Sequence, residues 1–189
     1  MVKSLLLVGV GGQGTILVSK ILSQGLLEEG YDVKMSEIHG MSQRGGSVTT
    51  QIRFGEKVYS PNITEGEADL IMAFEKVEAA RYIDHLKKDG ILVVNNEEMY
   101  PLPVLSGFEE YPGEVIEKLE ESVDNVKVIE ARKTATELGE PRSQNIVMLG
   151  AIVKHLGVED IDWIKLIKEN LPEKVHKVNI EAFEKGLSM

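Results

Sequence analysis

Two stretches of this sequence carry residue types and spacings suited to chemistry. The first is Gly9-Val10-Gly11-Gly12-Gln13-Gly14, in which glycines 9, 11 and 14 satisfy G-x-G-x-x-G. A turn of this kind lets the backbone approach an anion, while the helix that follows supplies free N–H groups and the positive end of its dipole. Thr15 and Ile16 stand where a P-loop needs Lys and Ser or Thr, so nothing reaches the outer phosphates and ATP hydrolysis is not expected. Glu37, 23 residues beyond Gly14, suits a ribose 2′-OH acceptor and keeps a dinucleotide reading open. The second stretch runs from Ile38 to Ser47 and holds His39, Gln43, Arg44 and the pair Gly45-Gly46. Unhindered N–H groups beside a guanidinium could form an anion nest. The plain alternatives are a turn that glycines serve only for packing, and a solvated loop cation beside a surface histidine.

The elements that would position these groups follow from periodicity. Leu5 to Val8 with Val10 form a continuous apolar run, expected of a strand covered on both faces. Leu17, Val18, Ile21, Leu22 and Gly25 recur at helical spacing until Gly30, with Gly25 placed for close packing on the sheet. Residues 32–37 read as a second strand, completing a βαβ unit with a right-handed crossover. Beyond the irregular stretch, Val48, Thr50, Ile52 and Phe54 alternate with polar residues, and a turn at Gly55-Glu56 leads into 57–60, which reads as a hairpin. Further strands are expected at 69–74, 91–95 and 126–130, and a short edge strand at 102–105. Helices are expected near 77–86, 114–122 and 133–138, then at 145–155, 163–171 and 175–186. The fold class is α/β: a three-layer α/β/α, Rossmann-like arrangement with a mixed, mostly parallel sheet and C-terminal helices. Residues 1–189 are expected to form a single domain, with 141–189 its helical end.

Composition narrows the function classes. The chain has 189 residues, 42% of them hydrophobic, which is enough for a core without staples. It contains no cysteine, which excludes a cysteine nucleophile and thiolate-ligated iron–sulfur or zinc sites on this chain. A net charge of -10 is unfavourable for a nucleic-acid binder. No apolar run nears the roughly 20 residues of a membrane span, and no signal-peptide pattern opens the chain. A cytoplasmic location is the expectation. His85, His155 and His176 are scattered on helical patterns without metal-ligand spacing, and Glu75 and Glu78 stand where a helix start explains them.

The run 9–14 followed by Ser36-Glu37-Ile38-His39-Gly40-Met41-Ser42-Gln43-Arg44-Gly45-Gly46-Ser47 resembles the beta subunit of indolepyruvate ferredoxin oxidoreductase. More widely, it resembles the gamma-type subunit or domain of the 2-oxoacid:ferredoxin oxidoreductases. The likeness continues through Ser60-Pro61, residues 66–70, residues 75–81, Val93 to Asn95, residues 145–151 and the Asn179 to Gly186 region, nearly the whole chain. The Gly-Gly-Gln-Gly turn is common to the branches, whereas His-Gly-Met-x-Gln-Arg-Gly-Gly-Ser is specific to the indolepyruvate branch.

The resemblance implies oxidative, coenzyme A-dependent decarboxylation of an aryl 2-oxoacid such as indolepyruvate, with electrons passed to ferredoxin. It places thiamine diphosphate and the [4Fe-4S] clusters on a large alpha subunit, and leaves this chain with no catalytic residue and no metal ligand. Its implied work is to complete the complex and close one side of the active-site cavity. Gly11, Gly12, Gln13, Gly14, Glu37, His39, Gln43, Arg44, Gly45, Gly46 and Ser47 are the residues expected to face a coenzyme A contact. The other readings are a free-standing NAD-binding Rossmann protein and the gamma subunit of a 2-oxoglutarate or pyruvate enzyme.

Overall fold

The computed structural model describes residues 2–39 and 45–189. The first apolar run forms β1 (Val2–Val10), and it is continuous because both faces are covered. Leu5 and Leu7 face one core with α1 (Thr15–Glu28), while Leu6 and Val8 face a second core on the other side. The sheet has six strands in the order β2-β3-β1-β4-β5-β6, where β2 is Asp32–His39, β3 is Ser47–Gly55, β4 is Ala68–Ala73, β5 is Leu86–Asn95 and β6 is Val126–Ile129. β1, β4, β5 and β6 are parallel neighbours, and β3 alone runs against them, pairing with β1 on one side and β2 on the other. The sheet is therefore mixed and mostly parallel, with helices on both faces.

One helical layer holds α1, α5 (Ala131–Glu137), α6 (Gln144–Leu156), α7 (Trp163–Asn170) and α8 (His176–Leu187). The opposite layer holds α2 (Lys76–Tyr82) and α4 (Val115–Ser122), with Ala79, Val115 and Leu119 packed on Leu6, Ile71 and Val94. α6 is buried along most of its length and runs against α8 through Gly150 and Gly186. Among the described residues no helix is long and apolar enough to cross a membrane.

Four expectations are corrected. Residues 57–60 form no strand: Asp32 instead accepts the Val58 N–H at 2.9 Å and ion-pairs with Lys57, holding the chain as a loop. The antiparallel partners of β3 are β1 and β2, so the βαβ unit has a third strand inserted between its two strands. Residues 102–105 are a short helix, α3 (Leu102–Leu105), not an edge strand. Pro101 and Pro103 sit at its start, where a missing N–H costs no intrahelical bond. Gly25 admits a neighbour as expected, but that neighbour is the Trp163 ring of α7, 2.7 Å from where a Cβ would lie, and not the sheet.

Candidate functional site

The glycine turn after β1 and the glycine pair before β3 are one structure. Gly11 N–H donates to the Gly46 carbonyl at 2.8 Å, and Gly45 N–H donates to the Gly11 carbonyl at 3.3 Å. The antiparallel register that ends at Val10 opposite Ser47 thus continues beyond both strands. Gly12 takes φ 106° with open space where a side chain would start, and Gly14 takes φ 83° as the N-cap of α1. Both lie in the left-handed region that favours glycine. A Cβ on Gly14 would lie 2.4 Å from Asn145 Nδ2, so the turn is also pressed against the start of α6.

Gln13 locks the turn from below. Its side chain is buried; Oε1 accepts the Val10 N–H at 2.8 Å, while Nε2 donates to the Phe74 carbonyl at 3.0 Å and to Glu97 Oε2 at 3.2 Å. Asn95, at the end of β5, donates to the same Glu97 oxygen at 3.1 Å and to the Phe74 carbonyl at 3.3 Å, and its Oδ1 accepts the Ala131 N–H at 3.0 Å. The C-terminal ends of β1, β4 and β5 and the start of α5 therefore share one polar network, at the edge where open α/β sheets bind ligands. Burial holds the Glu97 carboxyl above its ordinary pKa, opposed by the charge of Arg132 and the Gln13 amide.

Two depressions flank the strap made by Gly11, Gly45 and Gly46, and their electrostatics are opposite. On the α1 side, a cavity of about 450 Å³ is lined by Gly11, Gly12, Gly14, Thr15, Ile16, His39 and Val48. Among the described residues no carboxylate lines it, and the first N–H groups of α1 have no intrahelical acceptors, so its walls suit an anion. On the other side, a depression of about 400 Å³ has Ser47, Glu75, Glu78 and Tyr111 in its wall. Ser47 Oγ donates to Glu78 Oε2 at 2.5 Å, and Arg81 Nε lies 3.4 Å from Glu78 Oε1. Glu75 caps α2 by accepting the Glu78 N–H at 2.9 Å, and the Tyr111 hydroxyl donates to its other oxygen. Burial pushes the Glu78 carboxyl up.

The structure brings Gly11, Gly12, Gln13, Gly14, His39, Gly45, Gly46 and Ser47 around these two depressions. Gln43 and Arg44 lie outside the described residues, and Gly45 spends its N–H on Gly11. Glu37 faces α1, where Ser19 Oγ donates to it at 3.1 Å, and β3 separates its strand from β1. Sequence reasoning missed Asn95, Glu97 and Asn145 as supports of the turn. A polar Asn closing the apolar run 91–94 was the available signal, because it marks a strand's C-terminal end. The chain supplies no thiolate, and among the described residues no group of three or more His, Asp or Glu could hold a metal ion.

The chain is 39% identical to the indolepyruvate oxidoreductase subunit IorB of Pyrococcus horikoshii, over 97% of this chain and 94% of that protein. It is 31% identical to the common gamma subunit of the pyruvate/ketoisovalerate oxidoreductases of Pyrococcus abyssi, over 94% of this chain and 93% of that protein. Its fold matches part of the 2-oxoglutarate:ferredoxin oxidoreductase of Magnetococcus marinus, solved with 2-oxoglutarate, coenzyme A and succinyl-CoA, at TM-score 0.76 and 22% identity over 99% of this chain and 30% of that one. The pyruvate ferredoxin/flavodoxin oxidoreductase family matches residues 4–189, and the chain belongs to that family as a beta- or gamma-type subunit.

Proposed function

We propose that this chain is the small, beta-type subunit of an indolepyruvate-type 2-oxoacid:ferredoxin oxidoreductase. The complex oxidatively decarboxylates an aryl 2-oxoacid to an acyl-CoA and reduces ferredoxin, and this chain alone is inactive. The observation that carries the reading is the full-length identity of 39% to an indolepyruvate oxidoreductase subunit, against 31% to a pyruvate/ketoisovalerate gamma subunit. Thiamine diphosphate on the large subunit supplies the ylid and electron sink for decarboxylation, and iron–sulfur clusters there carry the electrons.

The work of this chain's own residues is binding and enclosure. The cavity beside the glycine turn suits a phosphate of coenzyme A, held by the N–H groups opening α1 with His39 at its rim. Gly12 keeps the approach open, since nothing lies near the position of its absent Cβ. Gln13 and Asn95 hold the turn rigid, so little ordering is required when the ligand arrives. The dinucleotide alternative is opposed by the strand order and by Glu37, which is turned to Ser19.

The test is anaerobic coexpression with the large subunit, followed by ferredoxin reduction with indolepyruvate, pyruvate or 2-oxoglutarate, with and without coenzyme A. Coenzyme A-dependent activity preferring indolepyruvate is expected from the complex and none from the isolated chain. Preference for pyruvate or 2-oxoglutarate would overturn the substrate class, and absence of a complex would overturn the subunit reading.

A further inference from the structure

Past Glu97, which supports the glycine turn, the segment between β5 and α4 carries large exposed apolar side chains near the site. Leu102 is 74% exposed, Leu105 69% and Phe108 86%. Leu102 and Leu105 stand three residues apart on α3, and Gly107, at φ 74°, turns the chain to present Phe108. Pro101 and Pro103 stiffen the segment, and Tyr100 packs on Tyr111 with ring centroids 5.1 Å apart. These side chains are held out in an ordered frame, so docking on them loses little conformational entropy.

The segment that carries this apolar rim bears charge of one sign. Residues 89–117 contain no Lys or Arg and seven Asp or Glu. Met99, Pro101 and Val104 wall the acidic depression of about 400 Å³, with Glu75 and Glu78 buried in its wall and Glu109 and Glu110 at its edge. Among the described residues, Arg81 lines the depression and pairs with Glu78, and Lys76 beside it pairs with Glu98.

We propose that α3, Phe108 and the acidic depression form the docking surface for a Lys- or Arg-bearing, apolar segment of the large subunit. This rests on the subunit reading above. A basic side chain entering the depression meets the Glu109 and Glu110 carboxylates at its edge, while apolar groups of the same segment cover Leu102, Leu105 and Phe108. Such a site, an anchor pocket with an apolar surround, is the usual form of an interface hot spot. A second copy of this chain is the poorer occupant, because each copy carries a net charge of -10 and presents the same acidic rim.

The experiment measures binding of the chain to the large subunit for the wild type, for Leu105→Asp/Phe108→Asp and for Glu109→Lys/Glu110→Lys. All four side chains are exposed, and unchanged melting temperatures would confirm that the variants fold. Each variant is expected to bind at least tenfold more weakly, about 1.4 kcal/mol, and the charge variant to lose part of the salt dependence shown by the wild type. Wild-type affinity in both variants would overturn this surface while leaving the subunit reading intact. A dimer of the isolated chain that the variants abolish would give the surface to a second copy and also overturn the proposal. Failure of the wild-type chain to bind the large subunit would overturn both readings together.

Discussion

Gln13 and Glu97, 84 residues apart in the chain, meet at 3.2 Å beneath the glycine turn, and the Gln13 amide meets the Val10 N–H and the Phe74 carbonyl in the same buried space. The turn is therefore held by tertiary polar contacts as well as by its glycines. Gln13→Leu keeps similar bulk but leaves the Val10 donor without its acceptor. Leaving a buried group unsatisfied costs about 1–3 kcal/mol. Urea denaturation should show a fall of that size, seen as a lower midpoint with an unchanged slope. Stability equal to the wild type would mean that water or relaxation replaces the amide.

Glu97 and Glu78 give a pH dependence whose sign is fixed by burial. Each carboxyl has its pKa raised in the folded state, so the folded protein binds the proton more tightly than the unfolded chain. Their contribution is fully present below the unfolded pKa of 4.5 and is lost as pH rises through the folded value. Glu97→Gln and Glu78→Gln remove the charge and with it the loss. The melting temperature of each variant relative to wild type should climb as pH is raised from about 4.5 toward neutrality, then level off. Half-buried Asp32 and exposed Glu98, whose pKa values are lowered by hydrogen bonds from Lys34 and Lys76, act in the opposite sense at lower pH and are common to both proteins. A difference that stays flat with pH would show that burial of these carboxylates is not felt.

Much of this arrangement was legible in the sequence because parallel strands are covered on both faces. Leu5 to Val8, Leu70 to Ala73 and Leu92 to Val94 are uninterrupted apolar runs, and all are buried. The place of β3 was not legible. Its alternation is equally consistent with a partner at 57–60 or at 32–39, and the choice is made by long-range pairing and by Asp32 capturing Val58. The glycines around the site were visible, but their supports were not: Asn95, Glu97 and Asn145 lie far along the chain, and only Asn95, which closes an apolar run, carries a local mark that sets it apart from surface polar residues. Glu75 was read as a helix-start residue, and it caps α2. Leu102 to Leu105 misled because apolar residues beside prolines suit an edge strand and a first helical turn alike.

Gly12 and Gly14 both take positive φ, yet they should answer differently to alanine. Gly12→Ala has open space for its Cβ, so only backbone strain of about 1–3 kcal/mol is expected. Its methyl stands at the cavity wall, and in the active complex the KM for coenzyme A should rise with less change in kcat. Gly14→Ala adds a clash with Asn145 to the same strain. In a double-mutant cycle, Asn145→Ala should remove the two closest contacts, those with the amide group, and leave the tight 3.2 Å approach to the residue-145 Cβ and the strain, giving a favourable coupling of roughly 1 kcal/mol. Purely additive changes would place the cost of Gly14→Ala in its backbone alone.

A very close backbone approach lies where α8 crosses α6. A Cβ on Gly186 would fall 2.0 Å from the Val147 carbonyl oxygen, and one on Gly150 would fall 2.3 Å from the Phe183 carbonyl oxygen. Both obstacles are backbone atoms, so no side-chain rotation can relieve them and the helices must separate. Such separation would pull Phe183 and Ala182 away from Val147 and Ile146, which belong to the same buried core. Overpacking a close core contact costs about 1–3 kcal/mol, and sometimes more; Gly186→Ala should reach the upper end of that range. Gly139→Ala is the control, since its Cβ would meet open space and only the strain of φ 86° applies. Thermal denaturation of the three variants should rank Gly186 and Gly150 well below Gly139. Equal melting temperatures would mean that α8 can shift along α6 without loss, and that its glycines are not required for the crossing.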